Sequence, residues 1–330
     1  MTEPVAQRGS GPAATLSLDL DNLWCYQRSF GIEAWRDYPS FLDLAVPRIL
    51  EVLDRLDLRL TVFIIGRDAA QPANRALMAE WTKRGHEPGN HSYDHELSLH
   101  RWPRERIADE VRRAGDVIAE ATGKTPRGFR GPAFGLSPAL LEALTDLGYA
   151  YDASSFPSSL GALARLYHRR QAAKAGGRAE IQDDLYGNLR DSRQPLRPYR
   201  WSLGNGSLVE TPVTTLPLLR LPFQGTYLNY LADRSPGLAS GYFNAALSLC
   251  RLRRVPPSFL LHATDFLGSD DSAALACLPG MRRSGAEKTA FMTERLGALK
   301  RRFDVLPIGA FVDRLEAHHD LPQLSPALSA

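Results

Sequence analysis

The sequence predicts an α/β fold, a distorted barrel of seven mostly parallel strands, and three observations lead to it. Short apolar runs alternate with amphipathic stretches, which is the pattern of strands connected by helices. Glycines stand where several of these helices should end, at Gly85, Gly123 and Gly148. The most conspicuous polar residues fall at, or just after, the C-terminal ends of strands, where the active sites of such barrels assemble.

Individual elements follow from the periodicity of apolar residues. The predicted strands are Ala14–Asp21, Leu60–Ile65, Gly128–Gly131, Ala150–Ser154, Ser207–Val213, Ser258–His262 and Phe303–Pro307. The predicted helices are Phe41–Leu56, Asn74–Arg84, Arg104–Ala121, Pro138–Leu147 and Glu287–Arg302. We expect one barrel domain over residues 14–318, with tails at 1–13 and 319–330.

The periodicity breaks between Ser158 and Ser202, in a stretch that is strongly basic. Five basic residues occur there with no acid among them: Arg165, Arg169, Arg170, Lys174 and Arg178. A break of this length in a regular α/β pattern indicates an inserted segment. We expect an insertion, part helix and part loop, over the C-terminal face of the strands.

Composition limits the class of protein. The chain has 330 residues, 44% of them hydrophobic, and a net charge of +3, so nothing in the overall balance supports nucleic acid as a partner. Three cysteines without CxxC spacing argue against a disulfide framework or a cysteine-based zinc site. We find no apolar run of signal-peptide or membrane-spanning length, which predicts a cytoplasmic protein, at most peripheral at the inner membrane face.

Two histidines, His91 and His95, lie four residues apart beside Gly89. Alone, such a pair is more often a surface or core feature than a metal site. An Asp-x-Asp segment earlier in the chain strengthens the metal hypothesis, because two imidazoles and one carboxylate form a common ligand set. Asp94, between the histidines, either orients one imidazole or caps the loop.

The Asp-x-Asp segment consists of Asp19 and Asp21, which alternate on an apolar strand and so leave it on the same face. Two carboxylates on such a strand are costly unless they are paired or bind a metal. One could complete the ligand set while the other acts as a base. The alternative is a structural salt bridge.

Two further segments place polar groups after strands. Arg130 precedes a Gly/Pro-shaped loop, where a guanidinium can hold a carboxylate and a loop amide can face an oxyanion; the alternative is a surface arginine in a plain turn. His262 ends an apolar strand, a suitable position for a general acid. Asp152 or Asp265 could be its carboxylate partner.

Together these segments resemble the five motifs of the polysaccharide deacetylase family, also called NodB-homology or carbohydrate esterase family 4 proteins. The matching segments are Ser17–Asp21, His91–His95, Phe129–Gly135, Tyr151–Ser154 and Leu261–His262. The resemblance runs from about Leu16 to Ile308, apart from the insertion. It implies a distorted (β/α) barrel and hydrolysis of an N-acyl group.

Carried onto this sequence, the resemblance implies that Asp21, His91 and His95 bind a divalent metal. Asp19 is then the base that activates water, and Arg130 holds Asp19. Zinc suits two imidazoles and one carboxylate, although cobalt, nickel or iron would also fit.

The resemblance also assigns the remaining roles. The backbone N–H of Phe134 is expected to stabilise the oxyanion. His262 is expected to protonate the leaving amine, steadied by Asp152.

The expected substrate is an N-acetyl or N-formyl amino sugar. Glu210–Thr214 resembles the branch that acts on amino sugars attached to polyprenyl carriers, and apolar residues near Arg251, Arg253 and Arg254 could contact a membrane or polyprenyl phosphate. An ordinary solvated helix face is the alternative. Two other functions stay open: a cyclic imide or ureide hydrolase of the same fold, and a non-catalytic sugar- or lipid-binding barrel.

Overall fold

A mixed sheet of ten strands forms the centre of the part of the chain that the structure describes. This structure is a computed structural model, and it describes residues 11–161, 165, 166, 169, 170, 173, 191–278, 280–317 and 320–326. The strands are β1 (Ala13–Asp19), β2 (Thr61–Ile64), β3 (Glu87–Asn90), β4 (Gly128–Phe129), β5 (Tyr151–Asp152), β6 (Tyr199–Leu203), β7 (Gly206–Glu210), β8 (Ser258–His262), β9 (Asp304–Leu306) and β10 (Gln323–Leu324).

The strand order is β10-β6-β7-β5-β4-β3-β2-β1-β8, and β9 pairs with the beginning of β1. Every pair is parallel except the β6–β7 hairpin. The described sheet is open, with β10 and β8 at its two edges. The chain after β7 approaches β8, since the backbone N–H of Thr214 donates to the Ser258 oxygen at 3.2 Å. The predicted mostly parallel α/β fold is confirmed.

Helices surround the sheet. They are α1 (Leu23–Ser29), α2 (Leu42–Arg55), α3 (Gly66–Ala69), α4 (Arg75–Lys83), α5 (Arg104–Thr122), α6 (Pro138–Asp146), α7 (Gly225–Ala232), α8 (Pro236–Leu252), α9 (Gly285–Lys300) and α10 (Ile308–Glu316). All five predicted helices are confirmed, each end within two residues. In α2, for example, the buried residues recur every three or four positions and pack into the main core.

Strand β3 was not predicted, because Glu87-Pro88-Gly89-Asn90 has low intrinsic preference for a strand. It forms because β2 and β4 flank it on both sides. Gly89 is opposite Phe63 in the register, and a Cβ atom at position 89 would lie 2.5 Å from the Phe63 ring. The glycine therefore makes room for an aromatic ring that also lies under Arg130, 4.3 Å from its guanidinium carbon.

The second half of the chain departs further from expectation. The predicted insertion ends where β6 runs antiparallel to β7, and β10, within the predicted C-terminal tail, pairs with β6. Two residues of the basic run, Lys174 and Arg178, lie outside the described residues. Helix α8 was missed, and its buried face is rich in alanine.

Among the described residues, no helix combines the length and apolar character needed to cross a bilayer. The C-terminal ends of the parallel strands meet at one edge of the sheet. The side chains that follow these ends form the candidate site.

Candidate active site

The residues singled out from the sequence follow five different strands. Asp19 ends β1 and Asp21 lies two residues beyond it. His91 and Arg130 come directly after β3 and β4. Asp152 ends β5 and His262 ends β8. The fold therefore places distant segments at the same edge of the sheet.

Asp21, His91 and His95 form the one cluster of potential metal ligands that we find among the described residues. Their ligand atoms all lie within 4.8 Å of one another. The Oδ1 atom of Asp21 is 3.4 Å from His91 Nε2 and 3.2 Å from His95 Nε2. All three residues are largely buried, so the cluster is a compact interior feature and not a chance surface grouping.

A tight turn holds the two histidines together. Ser92 and His95 adopt positive φ angles of 62° and 49°, which residues other than glycine rarely adopt. The His95 N–H donates to the Ser92 hydroxyl oxygen at 3.1 Å. Two further backbone N–H groups, of Tyr93 and Asp94, donate to the Glu110 carboxylate. The strained turn is thus fixed by its own hydrogen bonds and by a buried acid.

Asp94 links this turn to two arginines from earlier in the chain. Its carboxylate accepts from Arg67 Nε at 2.7 Å, and its backbone oxygen accepts from Arg28 at 2.8 Å. Of its two predicted roles, the loop cap agrees with these contacts, because the partners of the carboxylate are arginine nitrogens and not an imidazole.

The donor set fits a cation. His91 Nδ1 lies 2.6 Å from the Arg130 carbonyl oxygen, which can only accept, so in the neutral ring the Nε2 lone pair faces Asp21. Asp21 Oδ1 is itself buried and accepts no hydrogen bond. Two acceptors facing each other in the interior are the arrangement that a bound metal ion would stabilise.

The electrostatics of the cluster also fit a bound cation. Burial opposes charge, but His95 and His91 outweigh it and hold the pKa of Asp21 well below its ordinary value. Burial likewise opposes a charged His91, yet Asp21 and Asp19 raise the pKa of that ring. The cluster therefore attracts positive charge.

Asp19 is held beside this cluster by Arg130. The Nη1 atom of Arg130 donates to Asp19 Oδ1 at 2.7 Å and to the Ser17 hydroxyl at 2.9 Å, while Nε donates to the Ala153 oxygen. Arg130 is 0% exposed, so this is a buried ion pair with several supporting hydrogen bonds. The second oxygen of Asp19, Oδ2, remains 4.0 Å from His262 Nε2 across the pocket.

His262 has a partner that was not predicted. Its Nδ1 atom lies 3.0 Å from the Thr226 hydroxyl oxygen, in the first turn of α7. Asp265, the competing candidate, accepts from the His262 backbone N–H at 2.8 Å and so holds the main chain. Nothing in the sequence around Thr226 distinguishes it from the other threonines of the chain.

The predicted pairing of Asp152 with His262 is wrong. Asp152 accepts from the hydroxyl and backbone N–H of Ser154 at 2.7 and 3.1 Å, and it lies opposite Glu210 in the β5–β7 register. In the sheet, β5 is separated from β8 by four strands.

Asp152 and Glu210 form a buried acid pair. Burial raises the pKa of both carboxyls, and that of Glu210 well above its usual range because Asp152 lies next to it. Trp201 Nε1 donates to Glu210 at 2.9 Å. On the other side, Ser154 links Asp152 to the loop after β4 by accepting from the Gly131 N–H at 2.8 Å. Through Ser154, the acid pair is therefore connected by hydrogen bonds to the loop that follows Arg130.

The predicted oxyanion donor also needs correction. The Phe134 N–H donates to the Gly131 oxygen at 3.0 Å within a short 3-10 turn, so it is engaged in the fold. The preceding residue, Ala133, has a positive φ of 51° and lines the pocket. With the Phe134 N–H engaged, the Ala133 N–H is the candidate loop amide at the pocket.

The pocket over these groups has a volume of about 170 Å³. Its polar lining consists of Asp19, Asp21, His91, His95 and His262. Large apolar side chains form much of the rest, and they are Tyr26, Phe30, Leu97, Phe134 and Leu278. Tyr26 was missed because α1, which follows Asp21 directly, was not predicted.

Comparison with known proteins agrees with this geometry. The sequence model of the polysaccharide deacetylase family matches residues 37–151, which contain His91, His95 and Arg130. A crystal structure of a candidate polysaccharide deacetylase from Mycobacterium smegmatis aligns over 100% of this chain and 98% of its own, with 18% identity and a TM-score of 0.63. No curated protein matches the chain.

Other solved structures overlap less closely. A family 4 carbohydrate esterase from Streptomyces lividans in complex with acetate covers 44% of this chain and 62% of its own, with 24% identity and a TM-score of 0.34. A carbohydrate esterase family 4 pseudoenzyme from Bacillus anthracis covers 96% and 70%, with 14% identity and a TM-score of 0.46. The mycobacterial structure shows the fold, and the match over residues 37–151 supports the polysaccharide deacetylase family.

Proposed function

We propose that this chain is a metal-dependent hydrolase that removes an acetyl or formyl group from the nitrogen of an amino sugar. The observation that carries the proposal is the convergence of Asp21, His91 and His95 within 4.8 Å, beside Asp19, which Arg130 holds. A binding barrel has no need of a buried spare carboxylate at such a cluster. The family match over residues 37–151 supports the same reaction class.

Asp21, His91 and His95 would hold the metal. A divalent ion there, most simply zinc, would supply a Lewis acid for the acyl carbonyl and would lower the pKa of water. Asp19 accepts the proton of the attacking water. Its ion pair with Arg130 fixes the carboxylate, so that the free oxygen Oδ2 faces the pocket.

His262 and Ala133 complete the reaction. As the C–N bond breaks, His262 Nε2, 4.0 Å from Asp19, gives a proton to the leaving amine. The Ala133 N–H supports the negative charge that develops on the acyl oxygen. A free amino sugar and a carboxylic acid are the products.

The size of the pocket supports a small acyl group. Its volume of about 170 Å³ is well below the roughly 300–1,000 Å³ of sites that enclose a whole small molecule. The acyl end of the substrate therefore enters the pocket, while the sugar stays outside it.

We extend the proposal to sugars on a polyprenyl carrier at the inner membrane face. Three leucines are 63–77% exposed, namely Leu218, Leu219 and Leu252. Leu252 lies at the end of α8, where Arg251, Arg253 and Arg254 are also exposed. Exposed leucines next to arginines suit acyl chains and phosphate groups.

The test is metal analysis of the purified protein, followed by a screen of N-acetyl and N-formyl sugars, free and attached to polyprenyl phosphate. Asp19→Asn should keep the metal and lose turnover by about 10³-fold, because the amide side chain cannot accept the proton. Acetate or formate release measures turnover, and elemental analysis measures metal. Asp109→Asn, at an exposed surface pair with Arg112, is the control and should match the unaltered protein.

Full turnover in Asp19→Asn would contradict the assignment of the base. Absence of turnover on every amide, despite one bound metal per chain, would contradict the proposed reaction. Equal rates on free and carrier-linked sugars would contradict the lipid extension alone.

A further inference from the structure

The hydrogen-bond partner of the His262 Nδ1 atom is a neutral group. The Thr226 hydroxyl oxygen lies 3.0 Å from Nδ1, and Thr226 is half-buried in the first turn of α7. The two carboxylates predicted as its partner are engaged elsewhere: Asp265 accepts from the His262 main-chain N–H, and Asp152 lies beside Glu210. Asp19 faces the other ring nitrogen, Nε2, at 4.0 Å. The ring is therefore oriented by a hydroxyl.

We propose that Thr226 is the positioning residue of His262, holding the imidazole so that Nε2 faces Asp19 and the substrate nitrogen. This inference rests on the proposed function, since it gives His262 the role of acid. Thr226 acts through the ring and does not itself contact the reacting atoms.

The Thr226 hydroxyl oxygen can accept a hydrogen bond from Nδ1–H. In the charged ring both nitrogens carry a proton, and Nδ1–H donates to Thr226. When Nε2 gives its proton to the amine, Nδ1 keeps its own proton, so the same hydrogen bond persists. Thr226 can therefore hold the same ring orientation before and after the proton leaves Nε2 for the amine.

A glycine allows α7 to approach the His262 turn closely. Gly225, the residue before Thr226, has no room for a side chain: a Cβ atom there would lie 2.1 Å from Asp265 Oδ2. The glycine allows the first turn of α7 to contact the turn that begins at His262. Thr226 is thereby brought within hydrogen-bond distance of the ring.

The main chain of that turn is held independently of Thr226. The His262 backbone N–H donates to the Asp265 carboxylate at 2.8 Å. Asn229 donates to the Asp265 carboxylate at 3.2 Å, and the buried Lys288 Nζ donates to the Thr264 oxygen at 2.6 Å. Loss of the Thr226 hydroxyl should therefore free the ring without unfolding the turn.

The experiment compares Thr226→Val, which removes the hydroxyl at nearly constant shape, with Thr226→Ser, which keeps it. Valine should lower kcat about ten-fold and change KM less than about two-fold, and serine should restore most of kcat. Thr293→Val removes a hydroxyl from another half-buried helical threonine, which bonds only the Thr289 oxygen, and should leave kcat unchanged.

A second measurement does not depend on turnover. In ¹⁵N-histidine-labelled protein, the His262 ring nitrogens should report a different tautomer equilibrium in Thr226→Val and an unaltered one in Thr226→Ser. An unchanged kcat in the valine variant, equal losses in both variants, or identical His262 spectra would overturn the inference. If no amide is hydrolysed but the spectra respond as expected, the proposed function fails and the contact between Thr226 and His262 stands.

Discussion

The two sides of the pocket are built in different ways. On the ligand side, formed by Asp21, His91 and His95, both histidines come from one short turn. Ser92 holds this turn from within, and Glu110 on α5 holds it from 17 and 16 residues away. On the acid side, His262 depends on Thr226 from α7 and Lys288 from α9, distant in sequence. A local motif therefore identifies the first side, whereas only the fold reveals the second. Substitutions on each side should have separable effects.

The largest expected effect is on the ligand side. His91→Ala should reduce bound metal from about one per chain to below ~0.1, because a three-ligand site with two remaining ligands binds weakly. Turnover should fall with it. Elemental analysis after dialysis measures the loss. His262→Ala is the matched histidine deletion across the pocket, and it should retain the metal.

Equal metal content in both alanine variants would contradict the ligand assignment. Metal loss in both would show that the two sides are not separable.

An intermediate effect is expected on the acid side, from Lys288→Met. Lys288 is 1% exposed and supports the Thr264 carbonyl, so its loss should let the His262 turn move and lower kcat about ten-fold. Metal content should stay unchanged. Lys300→Met is the control, because Lys300 also donates to backbone oxygens, of Leu56 and Asp57, but on the surface.

Metal loss in Lys288→Met would contradict the independence of the two sides. Unchanged kcat would mean that the His262 turn is held without Lys288.

The smallest effect on turnover, below about two-fold, is expected for Asp68→Asn. An amide oxygen at this position can still accept from Asn22 and Trp24. The substitution should instead change how the stability of the protein depends on pH. Burial raises the pKa of Asp68 to about 6, against an ordinary value of 3.8. Between these values the folded protein keeps a proton that the unfolded chain releases, so stability falls as pH rises.

The free energy of unfolding of the unaltered protein should therefore drop, relative to Asp68→Asn, by about 3 kcal/mol between pH 3.5 and pH 7. Denaturant unfolding at several pH values measures this difference. Parallel curves for the two proteins would contradict an ionisable, buried Asp68.

Sequence patterns predicted the parts of the molecule that depend on local periodicity. All seven predicted strands and five helices are confirmed, since their apolar residues repeat regularly. Strand β3 escaped prediction because its Pro88 and Gly89 disfavour a strand, and only pairing on both sides makes it one. Helix α8 escaped because its small residues give a weak pattern.

The candidate site divides similarly. The proximity of Asp21, His91 and His95 agrees with the predicted ligand set, and the predicted contact between Arg130 and Asp19 is present. Asp152 was paired with the wrong residue, because strand ends alone do not reveal that Glu210 is its neighbour in register. Thr226 could not be found, since one hydroxyl acquires its role only from the docking of α7.

Arg130 contacts both parts of the candidate site from a single residue. Its carbonyl oxygen contacts the ring of His91, while its guanidinium contacts Asp19. A side-chain substitution can remove only the second contact. A shift in the short strand β4 changes both, so metal affinity and the alignment of the base would decline in step. The position of β4 in the sheet therefore affects both the proposed metal ligand His91 and the proposed base Asp19, which the sequence presents in separate motifs.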